Sequence, residues 1–170
     1  DTGRNLEWFF DQWVLHGGHP ELTVSWAHDA KRKDLALTVK QGQAGDALTP
    51  EAFRFQAEVE VTWKGGHRAR HTVEVTRRDH TVHLPCAEAP ERVRFDPDGD
   101  LLATVELTAG ADAHRAVLAD DPAVMARVRA AAALAKDATQ ESVDALGKAL
   151  DDRFWGVAVE GAASLARVRT

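Results

Sequence analysis

The chain has 170 residues, 44% of them hydrophobic and 28% charged, with a formal net charge of −6. That balance belongs to an ordinary globular protein and excludes a disordered, collagen-like or integral membrane chain, since no run of about 18 apolar residues occurs. The acidic balance offers no basic footprint for nucleic acid, and the single cysteine, Cys86, excludes an intrachain disulfide or an all-cysteine metal site.

Leu6, Phe9, Phe10, Trp13 and Val14 fall at helical spacing and predict an opening helix with one apolar face. Asn5 is placed to cap it, Gly17 and Gly18 to end it, and Pro20 forbids continuation. Trp8 lies off the apolar stripe and is expected to face outward as a contact for a neighbouring domain. Alternation follows in Leu22, Val24 and Trp26, then in Leu35, Leu37 and Val39, and then along the odd positions from Phe53 to Trp63. Each run predicts a strand with one buried and one wet face. Trp26 and Phe55 are thereby expected in the core. Lys64-Gly65-Gly66-His67 predicts a tight turn leading into a partner strand that carries Ala69, His71, Val73 and Val75. Val73 is the third expected core residue. Shorter strands are expected at Thr81–Leu84, Arg92–Phe95 and Leu101–Leu107. About seven closely spaced strands predict an antiparallel β-sandwich.

Composition changes near Ala109. Of the Phe and Trp residues only Phe154 and Trp155 lie beyond it, whereas alanines crowd the final third. The expected division is a linking helix and turn at 1–20, a β-sandwich at 21–108 and helices at 109–170. The helical part repeats itself. Val128, Ala131, Ala132, Leu134, Ala135 and Lys136 match Val159, Ala162, Ala163, Leu165, Ala166 and Arg167 at an offset of 31, as Asp120-Asp121 matches Asp151-Asp152. Asp121 before Pro122 suggests a helix cap, and Thr139 is placed to cap a helix bearing Val143, Leu146 and Leu150. Small residues at the seams predict a HEAT-like α-helical segment of about two repeats. Such arrays usually hold more. With a start at Asp1 and no signal-peptide pattern, the expectation is a segment of a longer, cytoplasmic protein.

Several of the eight histidines fall at spacings that suggest metal ligands. His67-Arg68-Ala69-Arg70-His71 has the spacing of a zinc-peptidase His-Glu-x-x-His motif, but Arg68 stands where the general base belongs. On a strand the two histidines would lie roughly 13 Å apart, against about 6 Å on a helix. His71 is expected on the inner face of its sheet. His80 and His83 have opposite parity on one strand, while His16 and His19 flank a glycine pair and could approach each other. Asp96-Pro97-Asp98-Gly99-Asp100 departs from a calcium loop, because glycine is fourth and Leu107 takes the twelfth place. A hairpin turn is expected there instead. Nothing around Cys86 activates a thiolate, and Arg77-Arg78 reads as a solvated turn. No catalytic, metal or cofactor residue is assigned.

Leu6-Glu7-Trp8-Phe9-Phe10-Asp11-Gln12-Trp13-Val14, followed by Gly18-His19-Pro20-Glu21-Leu22-Thr23-Val24, resembles the aminopeptidase N family of zinc metallopeptidases. There a helix with F-x-x-W leads through a G-aromatic-P turn into the first strand of an immunoglobulin-like sandwich. His19 replaces the commoner aromatic. Leu37-Thr38-Val39-Lys40-Gln41 resembles the second strand of that domain, and Val93-Arg94-Phe95-Asp96-Pro97-Asp98-Gly99 a later turn. The likeness covers about residues 5–107. It implies a region just downstream of a catalytic domain, with zinc, the Gly-x-Met-Glu-Asn-type motif and His-Glu-x-x-His all in that other domain. The implied role is non-catalytic. The β-sandwich would position a helical domain against the catalytic domain of a peptidase acting on peptide N-termini. The implied partners are that upstream domain and further helical repeats, with no nucleic acid and no membrane. Two alternatives remain: a scaffold from a non-enzymatic relative, and an independent β-sandwich binding module.

Overall fold

In the computed structural model, Gly3 and residues 5–168 are described. The chain divides into two compact units. One runs to Asp96 and takes up Asp100–Val105; the other holds Pro97–Gly99 and continues from Glu106.

The first unit opens with a single α-helical turn, α1 (Glu7–Phe10), whose first amide is held by Asn5 Oδ1 at 2.8 Å. It passes into a π-helical turn, Asp11–Leu15, closed by the His16 amide on the Asp11 carbonyl. The expected regular helix is therefore overturned. The wider turn rotates the buried side away from the apolar stripe, so that Gln12 is buried while Leu6, Phe9, Phe10 and Val14 are exposed. Gly18, at φ +78°, makes the bend before Pro20.

Among the described residues seven strands form two sheets, with β1 (Glu21–Asp29), β2 (Asp34–Gln41), β5 (Asp79–Pro85) and β7 (Thr104–Leu107) in one. The order there is β5-β2-β1-β7; the second sheet is β4 (Arg68–Val75), β3 (Phe55–Thr62), β6 (Arg92–Phe95), in that order. Alternation explains the burial. Leu22 and Val24 pair with Gln41 and Val39, and Leu35 and Leu37 pair with Leu84 and Val82. In the second sheet Phe55, Ala57 and Val59 face Val75, Val73 and His71. Phe55 and Val73 are buried as expected, and His71 is half-buried on the same side.

Trp26 is not in the core: it is 37% exposed. Its register partner on β2, Leu37, is fully buried, so parity alone does not decide burial at that end of β1. Nor is the Asp96–Asp100 turn a hairpin. Asp96, at φ +50°, accepts the Asp100 amide at 2.9 Å, but β6 pairs with β3 while β7 lies beside β1. The β3–β4 turn is a hairpin, with Gly65 and Gly66 both at positive φ.

The second unit holds α2 (Ala111–Asp120), α3 (Val124–Leu134), α4 (Gln140–Ala149) and α5 (Trp155–Arg167). α2 packs on α3 and α4 on α5, while α3 packs on α5 and α2 on α4. Its core is Leu118, Ala130, Ala131, Leu134, Leu146, Ala149 and Val157. Two expected caps differ in detail. Asp121 precedes the N-cap Ala123 of α3 and accepts its amide at 2.8 Å. Thr139 occupies the N-cap of α4, but its hydroxyl donates backwards to Asp137 at 2.8 Å rather than capping the helix. The ionised carboxylate is a strong acceptor, and the hydroxyl turned toward it no longer offers its oxygen to the first amides of the helix.

Candidate functional site

The candidate ligands do not converge. His67 is exposed after the turn and its ring stacks on Trp63 at 5.4 Å, while His71 belongs to the sheet face behind it. His16 and His19 find separate partners, the Asp11 carbonyl at 2.8 Å and the Thr104 hydroxyl at 3.1 Å. His80 accepts the Thr76 amide at 3.1 Å, and His83 meets Asp34 at 2.5 Å on the other face. Among the described residues no three His, Cys, Asp or Glu side chains come close enough to hold a metal ion. Cys86 is buried, its thiol points to the Glu88 carbonyl at 3.1 Å, and burial pushes its pKa up. That is the environment of an inert thiol. Arg77 and Arg78 are exposed, though Arg78 also donates to the carbonyls of Glu51 and Gln43, both at 3.2 Å.

What the first unit does assemble is an anchored aromatic segment. Gln12 copies the pairing of a strand residue. Its Nε2 donates to the Arg54 carbonyl at 2.7 Å, and its Oε1 accepts the Arg54 amide at 2.6 Å. Trp13 lies beside Phe53, with ring centroids 5.1 Å apart. Trp8 does not face outward as expected. It is half-buried, and the Arg54 guanidinium lies 4.6 Å from the centroid of its ring. Glu74 fixes that guanidinium through two bonds to one carboxylate oxygen, at 2.8 and 2.7 Å. The segment thus turns its polar and indole groups inward and leaves Leu6, Phe9, Phe10, Val14 and Leu15 exposed, Leu15 at 74%. Sequence periodicity singled out most of these residues; of the apolar stripe Trp13 alone is half-buried and the others are exposed. Gln12 carried no apolar signal and was missed.

The wet face of the β4-β3-β6 sheet holds a second surprise. Glu60 has the outward parity of β3, yet it is 2% exposed. It pairs with Arg94, its register partner on β6, and with Arg70 at 3.3 Å on β4. Burial of a carboxylate is tolerated here because guanidinium groups from both neighbouring strands meet it.

In the helical unit a cleft of about 690 Å³ is lined by Arg115, Asp121, Arg127, Lys148, Asp152 and Arg153 among others. Among them Arg127 is 2% exposed. Two of its nitrogens reach the Asp152 carboxylate at 2.9 and 3.0 Å, and a third donates to the Asp121 carbonyl at 2.6 Å. These bonds hold the Asp152 carboxyl below the usual carboxylate range. The same Oδ1 accepts the Phe154 amide at 2.8 Å, as Asp121 Oδ1 accepts that of Ala123, so the repeated aspartates make the same turn. The bonds that Arg127 makes across the cleft tie the turn at Asp121 to the turn at Asp152.

No protein-family model matches the sequence, nor does any curated protein. Among solved structures, the Legionella pneumophila aminopeptidase A in complex with aspartic acid is similar to 96% of this chain, with a TM-score of 0.65 and 15% identity. The chain spans 20% of the length of that protein. The fold is therefore aminopeptidase-like, a sheet-rich region followed by helices. No helix among the described residues is long and apolar enough to cross a membrane.

Proposed function

We propose that the chain is a non-catalytic part of a zinc metallopeptidase resembling aminopeptidase N. In this reading the two sheets form an immunoglobulin-like sandwich, the repeated helices a HEAT-like segment, and the sandwich positions those helices against an upstream catalytic domain. The intact protein would take zinc and release residues from peptide N-termini in the cytoplasm. The observation that carries the reading is the aminopeptidase-like fold over 96% of the chain. It is joined by the L-E-W-F-F-D-Q-W-V stretch at Leu6–Val14 and the G-H-P turn at Gly18–Pro20. The exposed Phe9, Phe10, Val14 and Leu15 supply the contact surface toward that domain, beside the half-buried Trp8 that carries the Arg54 guanidinium against its ring.

The test is a pair of assays. The chain alone and the intact protein from which it comes are dialysed, analysed for zinc and offered chromogenic aminoacyl substrates. The expected result is hydrolysis and bound zinc in the intact protein and neither in the chain alone. Zinc held stoichiometrically by the chain itself, or an intact protein without either property, sinks the reading.

A further inference from the structure

The outward face of the β4-β3-β6 sheet repeats one arrangement of side chains in two successive rows. Strand register sets Glu60 between Arg70 on β4 and Arg94 on β6, and its carboxylate meets both guanidinium groups. Two residues further along β3, and so on the same face, Thr62 stands between Arg68 on β4 and Arg92 on β6. Neighbouring strands lie about 4.8 Å apart, so the two arginines of each row rise from either side of the central residue. The second row repeats the cations of the first but has a short hydroxyl where the first has a carboxylate. Within the two rows Arg68, Arg70, Arg92 and Arg94 therefore share one glutamate, and Glu58 of the next row takes part of Arg70 at 3.1 Å. Arg68 is exposed and leans toward Glu60 at 3.8 Å, too long for a hydrogen bond. Arg92 makes a further interaction, but a guanidinium carries five N–H donors and one partner does not exhaust them.

We propose that the row Arg68, Thr62 and Arg92 is a docking site for a carboxylate on an acidic segment of a partner protein, seated there as Glu60 is seated between Arg70 and Arg94. Charge complementarity sets the occupant, and the filled row shows its chemistry: what two cross-strand arginines hold there is a carboxylate on a peptide chain. The incoming group takes charge-assisted N–H bonds from Arg68 and Arg92 and the proton of the Thr62 hydroxyl. Thr62 is the last residue of β3, so the segment approaches from the open end of the sheet, away from the carboxylates of Glu58 and Glu60 that would repel it. The net charge of −6 disfavours an acidic segment elsewhere on the chain and confines it to this row. The site lies wholly within the β unit and does not depend on the peptidase reading.

Thr62→Glu supplies the missing carboxylate from the chain itself. The probe is a fluorescent peptide of alternating glutamate and threonine, titrated into the full chain at low ionic strength and followed by anisotropy, with the same peptide carrying glutamine for glutamate as its control. The glutamate peptide is expected to bind and the glutamine peptide not. Thr62→Glu should weaken binding about tenfold or more, as should Arg68→Gln. Thr72→Glu adds the same charge to the same face outside the row and should weaken it less than about threefold. In thermal melting Thr62→Glu should unfold no lower than Thr62→Gln, because its carboxylate finds the two arginines. A glutamate peptide that does not bind, or binds no better than its control, overturns the proposal. So do equal losses in Thr62→Glu and Thr72→Glu, or a Thr62→Glu chain that melts well below Thr62→Gln. Inorganic phosphate that displaces the peptide at concentrations where free glutamate does not assigns the row to a small phosphate ligand and overturns the acidic segment. None of these outcomes bears on hydrolysis by the intact protein, so the two readings fail separately.

Discussion

The two units build their interiors from different materials. The β unit buries large apolar side chains: Phe53, Phe55, Phe95, Leu35, Leu37 and a set of valines, most of them at or near zero exposure. The helical unit buries alanines with Leu118, Leu134, Leu146 and Val157, and beside them Arg127, Asp121, Ser142 and Ser164. Alternating strands can present bulky residues to a shared interior without loss of regularity. Helices stacked as repeats need short side chains to approach each other, which leaves less apolar area to hold them. Polar clamps make up the difference and fix which turn of one repeat meets which turn of the next.

The largest test of that contrast is Phe55→Ala in the β unit. A fully buried phenylalanine removed from a rigid core costs about 3–5 kcal/mol, read as a shift in the urea midpoint of the tryptophan fluorescence transition. A loss under about 1 kcal/mol would mean the β unit is no better packed than the helical one. Next in size is Arg127→Met, which keeps the stem and removes the guanidinium. Asp152 then loses its charged partner and the Asp121 carbonyl its donor, at about 1.5–3 kcal/mol. The loss is expected in hydrogen exchange of α3 and α5 and not in that of β1–β6. Uniform loss in both units would break the idea that each stands on its own core.

The sequence made the apolar half of this contrast legible and the polar half hardly at all. Strict alternation placed Phe55 and Val73 correctly, because burial on one sheet face follows parity. It failed at Trp26, which shares the parity of Val24 and stands opposite the fully buried Leu37 yet is exposed. It failed again at Glu60, where an outward position is closed over by arginines from two other strands. The opening helix shows the same limit. Its apolar stripe was visible, but Gln12 satisfying both backbone groups of Arg54 decided which side went in, and no periodicity records a hydrogen bond 42 residues away. In the helices the 31-residue repeat was readable, and the duplicated aspartates hinted at a shared turn. That Arg127 would reach Asp152 was not, since it depends on how one repeat stacks on the next.

Acid and alkali should separate the units. Asp152 is held low by Arg127, and Asp137 by the hydroxyls of Ser142 and Thr139. A carboxyl whose folded pKa is depressed stabilises the fold above its ordinary value of about 3.9, and that contribution disappears as pH falls through the folded value. Asp46, held low by the amides of Leu48 and Thr49, gives the β unit an acid limb of its own. The discriminating side is alkaline. Burial raises the Cys86 thiol, so its contribution is complete below the ordinary thiol value of about 8.5 and is lost as pH rises through the raised one. Cys86→Ala is expected to flatten the alkaline limb for the β unit and leave the helical unit unchanged. An alkaline limb that persists in the variant would assign it to another group.

The smallest effect is expected at Thr139, and its smallness is informative. A threonine that caps a helix through its hydroxyl costs about 0.5–2 kcal/mol when changed to alanine. Thr139 stands at the N-cap of α4 without making that bond, because its hydroxyl donates to Asp137 at 2.8 Å. Asp137 keeps the Ser142 hydroxyl at 2.5 Å and Arg115 at 3.4 Å when the threonine is gone. Thr139→Ala should therefore cost no more than about 0.5 kcal/mol, at the bottom of the capping range. Ser142→Ala, which empties a fully buried site holding both Asp137 and Arg115, should cost more. Thermal melting of the two variants, followed by circular dichroism, gives the order. If Thr139→Ala proves the more damaging, α4 depends on its cap as an ordinary isolated helix does. The aspartate-centred clamps would then be incidental to holding the helical unit together.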